Sequence, residues 1–349
     1  VCAWGGGKYW HTTDNLFLSG HLPEVVNPAG SIREYTIRAL NRIPASVLAS
    51  QADCFVCGGG SLFTKVSRFS LINHMLAIKS VCNKNMKTGA IGVSIGPFEN
   101  VKNENDVKTT LKRIDFLALR DRRSYELALS MNLPYEPVRA FDLAALLPEV
   151  YSTVKYDSEE RTSKGKVIGI SVCNYERYEH RHEIDKEIRR NKYLLELFST
   201  IPDGPEITLR FFVFNGHPSI GDEKTTDEFI HLLRDRFNIE KIPYLGNVYE
   251  TWKKISECNL VFSTRLHAGI FACYAQVPFF IMEYHQKCTD FLIDVGQTDK
   301  YRIYDGEISP GEVVEEMKSI LYGNQYIPPS NRSQTVRLSE NNFLSCNRD

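Results

Sequence analysis

The chain has 349 residues, of which 42% are hydrophobic and 24% are charged, so it can bury two cores of ordinary domain size. Its formal net charge of −1 argues against a nucleic-acid-binding protein with a broadly basic surface. No apolar run is long enough to span a bilayer and no signal peptide is recognisable, so we expect a cytoplasmic protein.

Apolar strands that end in glycine are predicted three times in the N-terminal part of the chain. Val1 to Trp4 precedes a first glycine run, Ala52 to Cys57 runs into Gly58, Gly59 and Gly60, and the third such strand is Gly89 to Pro97. Because glycine lets the backbone approach a ligand, Gly58 to Gly60 are candidate ligand-binding residues, although tight packing at a turn explains them equally well.

Cys54 and Cys57 have the spacing of a redox or metal motif, but they fall inside the second of these strands. Residues three apart on a strand face opposite ways. We therefore predict that the two cysteines are structural.

A further strand, Asp115 to Leu119, leads into a turn that begins with Arg120. Arg120 or Arg122 has the chemistry to hold an anion. Asp121 and Ser124, however, are residue types that favour the start of a helix. The structural interpretation of this turn is the favoured one.

A polar stretch, residues 152 to 166, separates the two halves of the chain and has the composition of a linker. Strands alternate with helices on both sides of it, which predicts two α/β domains with parallel sheets. We place these domains at residues 1–155 and 165–325. The tail, residues 326–349, is predicted to cross back to the first domain.

The second half opens with the strand Val167 to Val172, which predicts Asn174 and Arg177 at its carboxyl end. In open parallel sheets ligands bind outside the carboxyl ends of the strands. Asn174 and Arg177 are therefore candidate ligand contacts. The next strand, Ile207 to Phe214, is followed by a helix.

The most informative stretch runs from Cys258 to Phe291. Asn259 to Ser263 predicts a strand that leads directly into a helix, and Phe279 to Met282 predicts the next buried strand. At the first junction Thr264 is expected to cap the helix. The first N–H groups of that helix and Arg265 suit an anion, and His267 suits proton transfer. The second strand ends in the further candidates Glu283, Tyr284 and Lys287.

The motif Ser263-Thr264-Arg265-Leu266-His267-Ala268, followed by a helix, Val-Pro, an apolar strand and Tyr284-x-x-Lys287, resembles the polysaccharide pyruvyl transferase family. The resemblance implies a GT-B-like fold, in which two Rossmann-like parallel-sheet domains face each other across a cleft. The first domain would be the acceptor side and the second the donor side. The glycine run at Gly58 and the segment around Asp14, before a helix at Leu16, are the nearest counterparts of N-terminal family features.

The resemblance also implies a reaction, in which a pyruvyl group passes from phosphoenolpyruvate to two hydroxyls of one sugar and forms a cyclic ketal. Arg265 and His267 are the expected catalytic residues. Thr264, Leu266 and Lys287 are expected to help bind the donor, and Glu283 is a candidate partner of His267 or of the acceptor. The scheme needs no cofactor, and no cluster of metal ligands in the sequence demands a metal.

The expected acceptor is a glycan or a lipid-linked sugar, which would bring the protein to the inner face of the membrane. Two other functions fit the same residues. One is a GT-B glycosyltransferase that uses a nucleotide sugar, whose diphosphate would occupy the same helix start. The other is a module that binds a phosphosugar or glycan without turnover.

Overall fold

The computed structural model describes residues 9–12, 15–18, 47, 49–67, 70–152, 165–179, 183–202, 206–217, 220–304 and 309–344. The chain forms two compact units, of which the first contains residues 1–143 and 337–349 and the second contains residues 144–336. Most of the predicted linker and the expected strand Val1 to Trp4 lie outside the described residues. No helix in the described part of the chain has the length and apolar character needed to cross a bilayer.

A β-hairpin is the first described element. Strands β1 (Tyr9–Thr12) and β2 (Asn15–Leu18) pair in antiparallel fashion. The helix expected at Leu16 is therefore wrong. Asp14 itself lies outside the described residues.

The main sheet of the first unit is parallel, and its described strands lie in chain order: β3 (Cys54–Phe63), β4 (Lys87–Ile95), β5 (Phe116–Leu119) and β6 (Val138–Arg139). The helices between them are α1 (Leu71–Val81), α2 (Val101–Leu111) and α3 (Arg122–Ser130). Val93, Leu117 and Val107 are completely buried in the core between sheet and helices. The sheet thus buries its apolar strands beneath helices, as a parallel sheet must.

Asp121 begins α3 in the way that the sequence predicts, because its carboxylate accepts a hydrogen bond of 2.7 Å from the Ser124 N–H. Arg122 pairs with Glu126 on the exposed surface of the same helix. Arg120 is buried and donates to Asp142 at 2.9 Å and to Ser94 at 2.7 Å. The favoured structural interpretation of this turn is confirmed.

The second unit contains a parallel sheet of six described strands: β7 (Lys166–Ser171), β8 (Ile207–Phe212), β9 (Asn238–Ile242), β10 (Leu260–Ser263), β11 (Phe279–Met282) and β12 (Arg302–Ile303). Their spatial order is β9-β8-β7-β10-β11-β12, the order of a Rossmann fold. The chain order therefore reverses between β7 and β10. The prediction of two parallel-sheet α/β domains is confirmed.

Helices cover this sheet: α4 (Leu147–Val150), α5 (Glu176–Glu179), α6 (Ile184–Thr200), α7 (Glu223–Leu233), α8 (Val248–Ser256), α9 (Leu266–Tyr274), α10 (Gln286–Val295) and α11 (Pro310–Gly323). All residues of β10 and β11 are buried. Phe198 of α6 packs edge-on against Phe262 of β10, with ring centroids 5.5 Å apart. The strand ends on which a ligand site depends are thus fixed by a dense apolar core.

The last helix, α12 (Arg332–Leu344), supplies polar side chains that complete the first unit. The buried Asn342 accepts a hydrogen bond of 2.7 Å from the Gly92 N–H and donates one of 2.8 Å to the Phe141 carbonyl. Ser339 donates to the Asp142 carbonyl at 2.6 Å. Residues far apart in sequence are therefore joined by buried hydrogen bonds within this unit.

Candidate active site

The topological switch of the second sheet is held together by Thr264. Its N–H donates to the Ser171 carbonyl at 2.8 Å, and its hydroxyl donates to the same carbonyl at 3.1 Å. These bonds join the carboxyl ends of β7 and β10. In this fold a ligand is expected outside the carboxyl ends of such strands.

The expected role of Thr264 as the helix cap is wrong. Arg265 occupies the residue before α9, and the Ser263 hydroxyl donates to its carbonyl at 2.6 Å. The Thr264 hydroxyl is buried and already pairs with Ser171, so it can neither cap the helix nor reach a solvent-borne donor. Thr264 holds the site together instead.

A pocket of about 270 Å³ opens beside the start of α9. Arg265 and His267, the two residues expected to be catalytic, both line it. The other lining residues come from the ends of β8 and β9 and from α8 and α9: Val213, Phe214, Asn215, Tyr244, Gly246, Asn247, Val248, Thr251 and Phe271. The pocket lies entirely within the second unit.

Arg265 is fixed by a carboxylate at the start of α7. Its Nε lies 3.0 and 2.9 Å from the two carboxylate oxygens of Asp222, and its Nη2 also donates to Asp222. Within the described part of the chain, Nη1 donates to no acceptor. The guanidinium is thus oriented by one edge, and Nη1 remains available to a ligand in the pocket.

Asp222 is completely buried, whereas 22% of the Arg265 side chain is exposed. The Asn215 N–H donates to the carboxylate at 3.0 Å, and the Asp222 N–H donates back to the Asn215 carbonyl at 2.9 Å. Burial raises the pKa of Asp222, because the bonds from Arg265 and from the backbone oppose the loss of solvation only in part. Asp222 therefore links the pocket loop after β8 to Arg265.

His267 and Leu266 form the first turn of α9. The Leu266 side chain is buried, whereas that of His267 is exposed and lines the pocket. The first N–H groups of a helix have no partner within it and attract anions. An imidazole, a guanidinium and a helix start therefore adjoin one pocket.

Lys287 lies beside two tyrosine rings at the end of the neighbouring strand. Its ammonium is 5.8 Å from the centre of the Tyr175 ring and 5.6 Å from that of Tyr284. The two rings meet edge to face, with centroids 5.4 Å apart. The positive charge is therefore held near the carboxyl ends of β7 and β11 by cation–π contacts.

Two neighbours stabilise this group of residues. His285 Nδ1 accepts a hydrogen bond of 3.1 Å from the Lys287 N–H, so His285 rather than a hydroxyl caps α10. Arg190, which belongs to α6, places its guanidinium carbon 5.1 Å from the centre of the Tyr284 ring. Burial raises the pKa of the Tyr284 hydroxyl, so this candidate stays protonated and is a poor base.

Glu283 has a different partner from the one expected. Arg302 of β12 binds both of its carboxylate oxygens, with Nε at 2.7 Å and Nη2 at 2.9 Å. The Glu283 side chain is 1% exposed. The buried ion pair joins the end of β11 to β12, so this carboxylate has a structural role. The expected role of Glu283 as a partner of His267 or of the acceptor has no support here.

Asn174 and Arg177 are also engaged in contacts inside the unit. The Asn174 amide donates to Thr225 at 2.6 Å and accepts from Asn191 at 2.8 Å, and the residue is buried. Arg177 donates through Nε to Glu187 at 2.5 Å and through its backbone N–H at 3.1 Å. Both residues hold loops to helices, and neither lines the pocket.

Gly58, Gly59 and Gly60 lie in the first unit, inside β3 rather than after it. Gly59 and Gly60 have φ angles of +70° and +88°, which side chains rarely adopt. A Cβ added at any of the three would meet no atom of the described residues within 4 Å. Backbone conformation therefore explains Gly59 and Gly60, and a ligand-binding role for the three glycines stays a prediction.

Metal ligands do not gather at this site. In the described residues, no group of three or more His, Cys, Asp or Glu side chains could hold a metal ion. Cys54 and Cys57 both lie in β3, and neither forms a disulfide with another described cysteine. The chemistry of the pocket comes from the guanidinium, the imidazole and the start of α9.

Sequence reasoning missed three contributors to the site. Asp222 and Tyr175 each follow a predicted strand, but no motif in the sequence marks either of them as a site residue. Tyr244 follows β9, an edge strand that the sequence pattern did not predict. The strand-end position of Asp222 was a usable signal, but nothing in the sequence linked it to Arg265, 43 residues away.

The sequence model of one protein family matches most of the chain. This family is described as polysaccharide pyruvyl transferase, and the match covers residues 10–286. The match includes β7, β8, β9, β10 and β11 with Arg265, His267 and Asp222. A comparison with curated proteins gives no match.

Solved structures of UDP-GlcNAc 2-epimerases share the fold. The enzyme from Neisseria meningitidis, bound to UDP-GlcNAc, has a TM-score of 0.57 and 13% identity over 90% of this chain and 82% of its own. The enzyme from Methanocaldococcus jannaschii has a TM-score of 0.52 and 13% identity over 90% of this chain and 83% of its own. A further match, the MnaA–UDP structure from S. aureus, has a TM-score of 0.53 and 11% identity over 89% of this chain and 77% of its own. At these identities the likeness shows a shared GT-B-type fold.

Proposed function

The chain belongs to the polysaccharide pyruvyl transferase family, and from this premise we propose that it transfers a pyruvyl group from phosphoenolpyruvate to a glycan. Two hydroxyls of one sugar would receive the group as a cyclic ketal, and inorganic phosphate would leave. The observation that carries the proposal is Arg265, oriented by Asp222 with Nη1 available, beside the exposed His267 at one pocket.

The donor carries a carboxylate and a phosphate, and the site offers three features that suit them. Nη1 of Arg265 can donate to one anionic group, and the first N–H groups of α9 favour the other. Lys287 supplies a second positive charge at the neighbouring strand end. In this proposal Leu266 contributes its backbone and not its buried side chain.

His267 is the proposed proton-transfer group. The methylene carbon of the donor gains a proton and becomes a methyl group, while a sugar hydroxyl loses its proton and forms a bond to the central carbon. The bond from that carbon to the phosphate oxygen then breaks, and a second hydroxyl of the same sugar closes the ketal as its proton leaves. An imidazole that lines the pocket has the chemistry to give and take such protons.

The atoms balance between one donor and one acceptor without an oxidant or reductant, so the proposal includes no redox cofactor. The proposed acceptor is a sugar of a polysaccharide, a glycolipid or a lipid-linked precursor. A lipid-linked acceptor would bring a cytoplasmic enzyme to the inner face of the membrane. No nucleic acid takes part.

The test is phosphate release from phosphoenolpyruvate in the presence of a panel of glycan acceptors. We expect release with the wild type and its loss with Arg265→Ala and with His267→Ala. Arg122→Ala and His231→Ala are matched controls, because both side chains are exposed and lie outside the pocket. Equal activity in Arg265→Ala, His267→Ala and the wild type would refute the assignment.

The two alternative functions give different results in the same experiments. A nucleotide-sugar glycosyltransferase would be stabilised against heat by UDP-sugars and not by phosphoenolpyruvate. A non-catalytic binding module would bind a glycan and release no phosphate with any donor. Phosphate release that needs both phosphoenolpyruvate and a glycan excludes both alternatives.

A further inference from the structure

The pocket has two chemically different parts. Arg265 and His267 provide its charged and titratable groups. All other described lining residues are uncharged, and among them are the rings of Phe214, Tyr244 and Phe271. A donor with several negative charges gains nothing from an uncharged aromatic wall, because it would lose its hydration there without a compensating charge. The uncharged part therefore suits a neutral molecule.

Tyr244 forms a preformed wall of this uncharged part. A Cβ added to Gly216 would lie 2.4 Å from Cδ1 of the Tyr244 ring, so the ring packs directly against the Gly216 backbone. The Tyr244 side chain is nevertheless 45% exposed. The ring is thus fixed from behind and open in front, the arrangement that an aromatic stacking surface requires.

Two further rings of the pocket are packed into an apolar cluster. Phe214 and Phe271 meet edge to face with centroids 5.7 Å apart, and Phe271 meets the buried Trp252 at 6.0 Å. Such packing keeps the shape of the pocket and excludes water from its inner wall. The uncharged part is therefore formed before any ligand arrives.

Polar groups with spare hydrogen-bonding capacity line the same pocket. Asn247 Oδ1 accepts from the Glu250 N–H at 3.3 Å, which leaves the Nδ2 amide of Asn247 to donate elsewhere. The Thr251 hydroxyl donates to the Asn247 carbonyl at 3.1 Å and can still accept. One donor and one acceptor beside an aromatic ring match the hydroxyls and the apolar C–H face of a pyranose.

We propose that Tyr244, Asn247 and Thr251 form the subsite for the sugar ring of the acceptor, with Tyr244 stacked on its C–H face. The inference rests on the proposed function, because that function supplies the reason for a sugar beside Arg265 and His267. It goes further by placing a neutral pyranose in the second unit, in the same pocket as the donor groups, and so departs from the expectation that the first domain is the acceptor side.

Direct binding tests this subsite without any turnover. The full chain is titrated with methyl α- and β-hexopyranosides, and binding is followed by saturation-transfer NMR. We expect the ring C–H protons of at least one glycoside to be saturated, and Tyr244→Ala to weaken its binding about tenfold, the effect of losing one aromatic contact. Tyr322→Ala is the control, because Tyr322 is 54% exposed and lies outside the pocket.

Gly216→Ala is the second variant, since the added methyl group must displace the Tyr244 ring while every pocket side chain is kept. It is expected to weaken glycoside binding as Tyr244→Ala does. In both variants binding of phosphoenolpyruvate, measured by calorimetry, should stay within about twofold of wild type. Circular dichroism would check that each variant is folded.

Three outcomes overturn the inference: no glycoside signal in the wild type, a signal that Tyr244→Ala leaves unchanged, or Tyr244-dependent binding of uridine in place of glycosides. The last result would assign the pocket to a nucleobase. Glycoside binding through Tyr244 without phosphate release from phosphoenolpyruvate would instead refute the proposed function and leave a sugar-binding pocket.

Discussion

Asp222 binds one edge of the Arg265 guanidinium. Asp222 is the residue before α7, and Arg265 is the residue before α9. The carboxylate is completely buried, and Asn215 donates to it from the loop that lines the pocket. An isolated Arg265 side chain would sample many rotamers, whereas this one presents Nη1 in a fixed direction. The expected donor-binding residue thus depends on a second residue that does not line the pocket.

Asp222→Asn should lower the free energy of unfolding by about 3 kcal/mol, because it leaves a largely buried arginine without its counter-charge. Urea unfolding measures the change. Asp227→Asn is the control, since Asp227 is 56% exposed and its pair with Lys241 is worth little. A loss no greater for Asp222→Asn than for this control would show that the buried pair contributes nothing to stability.

His267→Ala should leave stability within about 0.5 kcal/mol of wild type, because the imidazole is exposed. Turnover of phosphoenolpyruvate with a glycan should fall by about a hundredfold or more, the usual effect of removing a proton-transfer group. Steady-state phosphate release gives kcat and KM for both substrates. His231→Ala, also exposed, should retain full activity, and an active His267→Ala would remove His267 from the mechanism.

Acid should weaken the second unit through Glu176, which forms a buried ion pair with Arg190. Burial alone would raise the pKa of Glu176, but the hydrogen bond and charge of Arg190 outweigh it and lower the pKa below its ordinary value of 4.5. The stabilisation is therefore complete above that value and is lost as the pH falls towards the lower, folded-state pKa.

This pH dependence is measured by urea unfolding between about pH 3 and pH 7. Glu176→Gln should be less stable than wild type at neutral pH, and its stability should change less in acid. Glu126→Gln, which alters an exposed pair in the first unit, is the control. Parallel curves for wild type and Glu176→Gln would contradict the assignment.

Asn342→Ala should destabilise the first unit by about 2 to 3 kcal/mol, because the Gly92 N–H and the Phe141 carbonyl would both lose a buried partner. Asn341→Ala is the neighbouring control, since Asn341 makes an exposed hydrogen bond to Arg139. Thermal unfolding compares the two variants. Similar midpoints for both would show that the hydrogen bonds of Asn342 do not hold α12 in place.

Thiol titration at about pH 8 should separate exposed from buried cysteines. Cys54 and Cys82 are exposed, and Cys54→Ser and Cys82→Ser should each remove one rapidly reacting thiol. Burial raises the pKa of Cys258 to about 12, so this thiol stays protonated and Cys258→Ala should leave the rapid count unchanged. Loss of a rapid thiol in Cys258→Ala would show that the second core opens readily.

Much of the second unit could be predicted from short apolar runs. The predicted strands at Val167, Asn259 and Phe279 match β7, β10 and β11 within one residue, because strands buried on both faces leave continuous apolar sequence. The strands β6 and β12 have two residues each and no such pattern. Their positions are set by pairing with β5 and β11, which only the folded chain shows.

The site could be predicted less completely than the strands, because residue type does not determine the partner. Thr264 has the chemistry of a helix cap but bonds to Ser171, 93 residues away. Glu283 has the chemistry of a catalytic base but is bound by Arg302. Arg265 and His267 were found because adjacent residues at one strand end must share a location, whereas Asp222 reaches Arg265 only through the fold.

The first unit consists of two separate stretches of chain, because residues 337–344 of α12 complete it after the whole second unit has been traversed. During synthesis the ribosome therefore makes every strand of the second unit before the residues that contact Gly92 and Phe141. The second unit can finish folding on the nascent chain, while the first must wait for its last helix. A premature stop before Asn342 would therefore release an intact Rossmann sheet attached to a partner that has lost its closing hydrogen bonds.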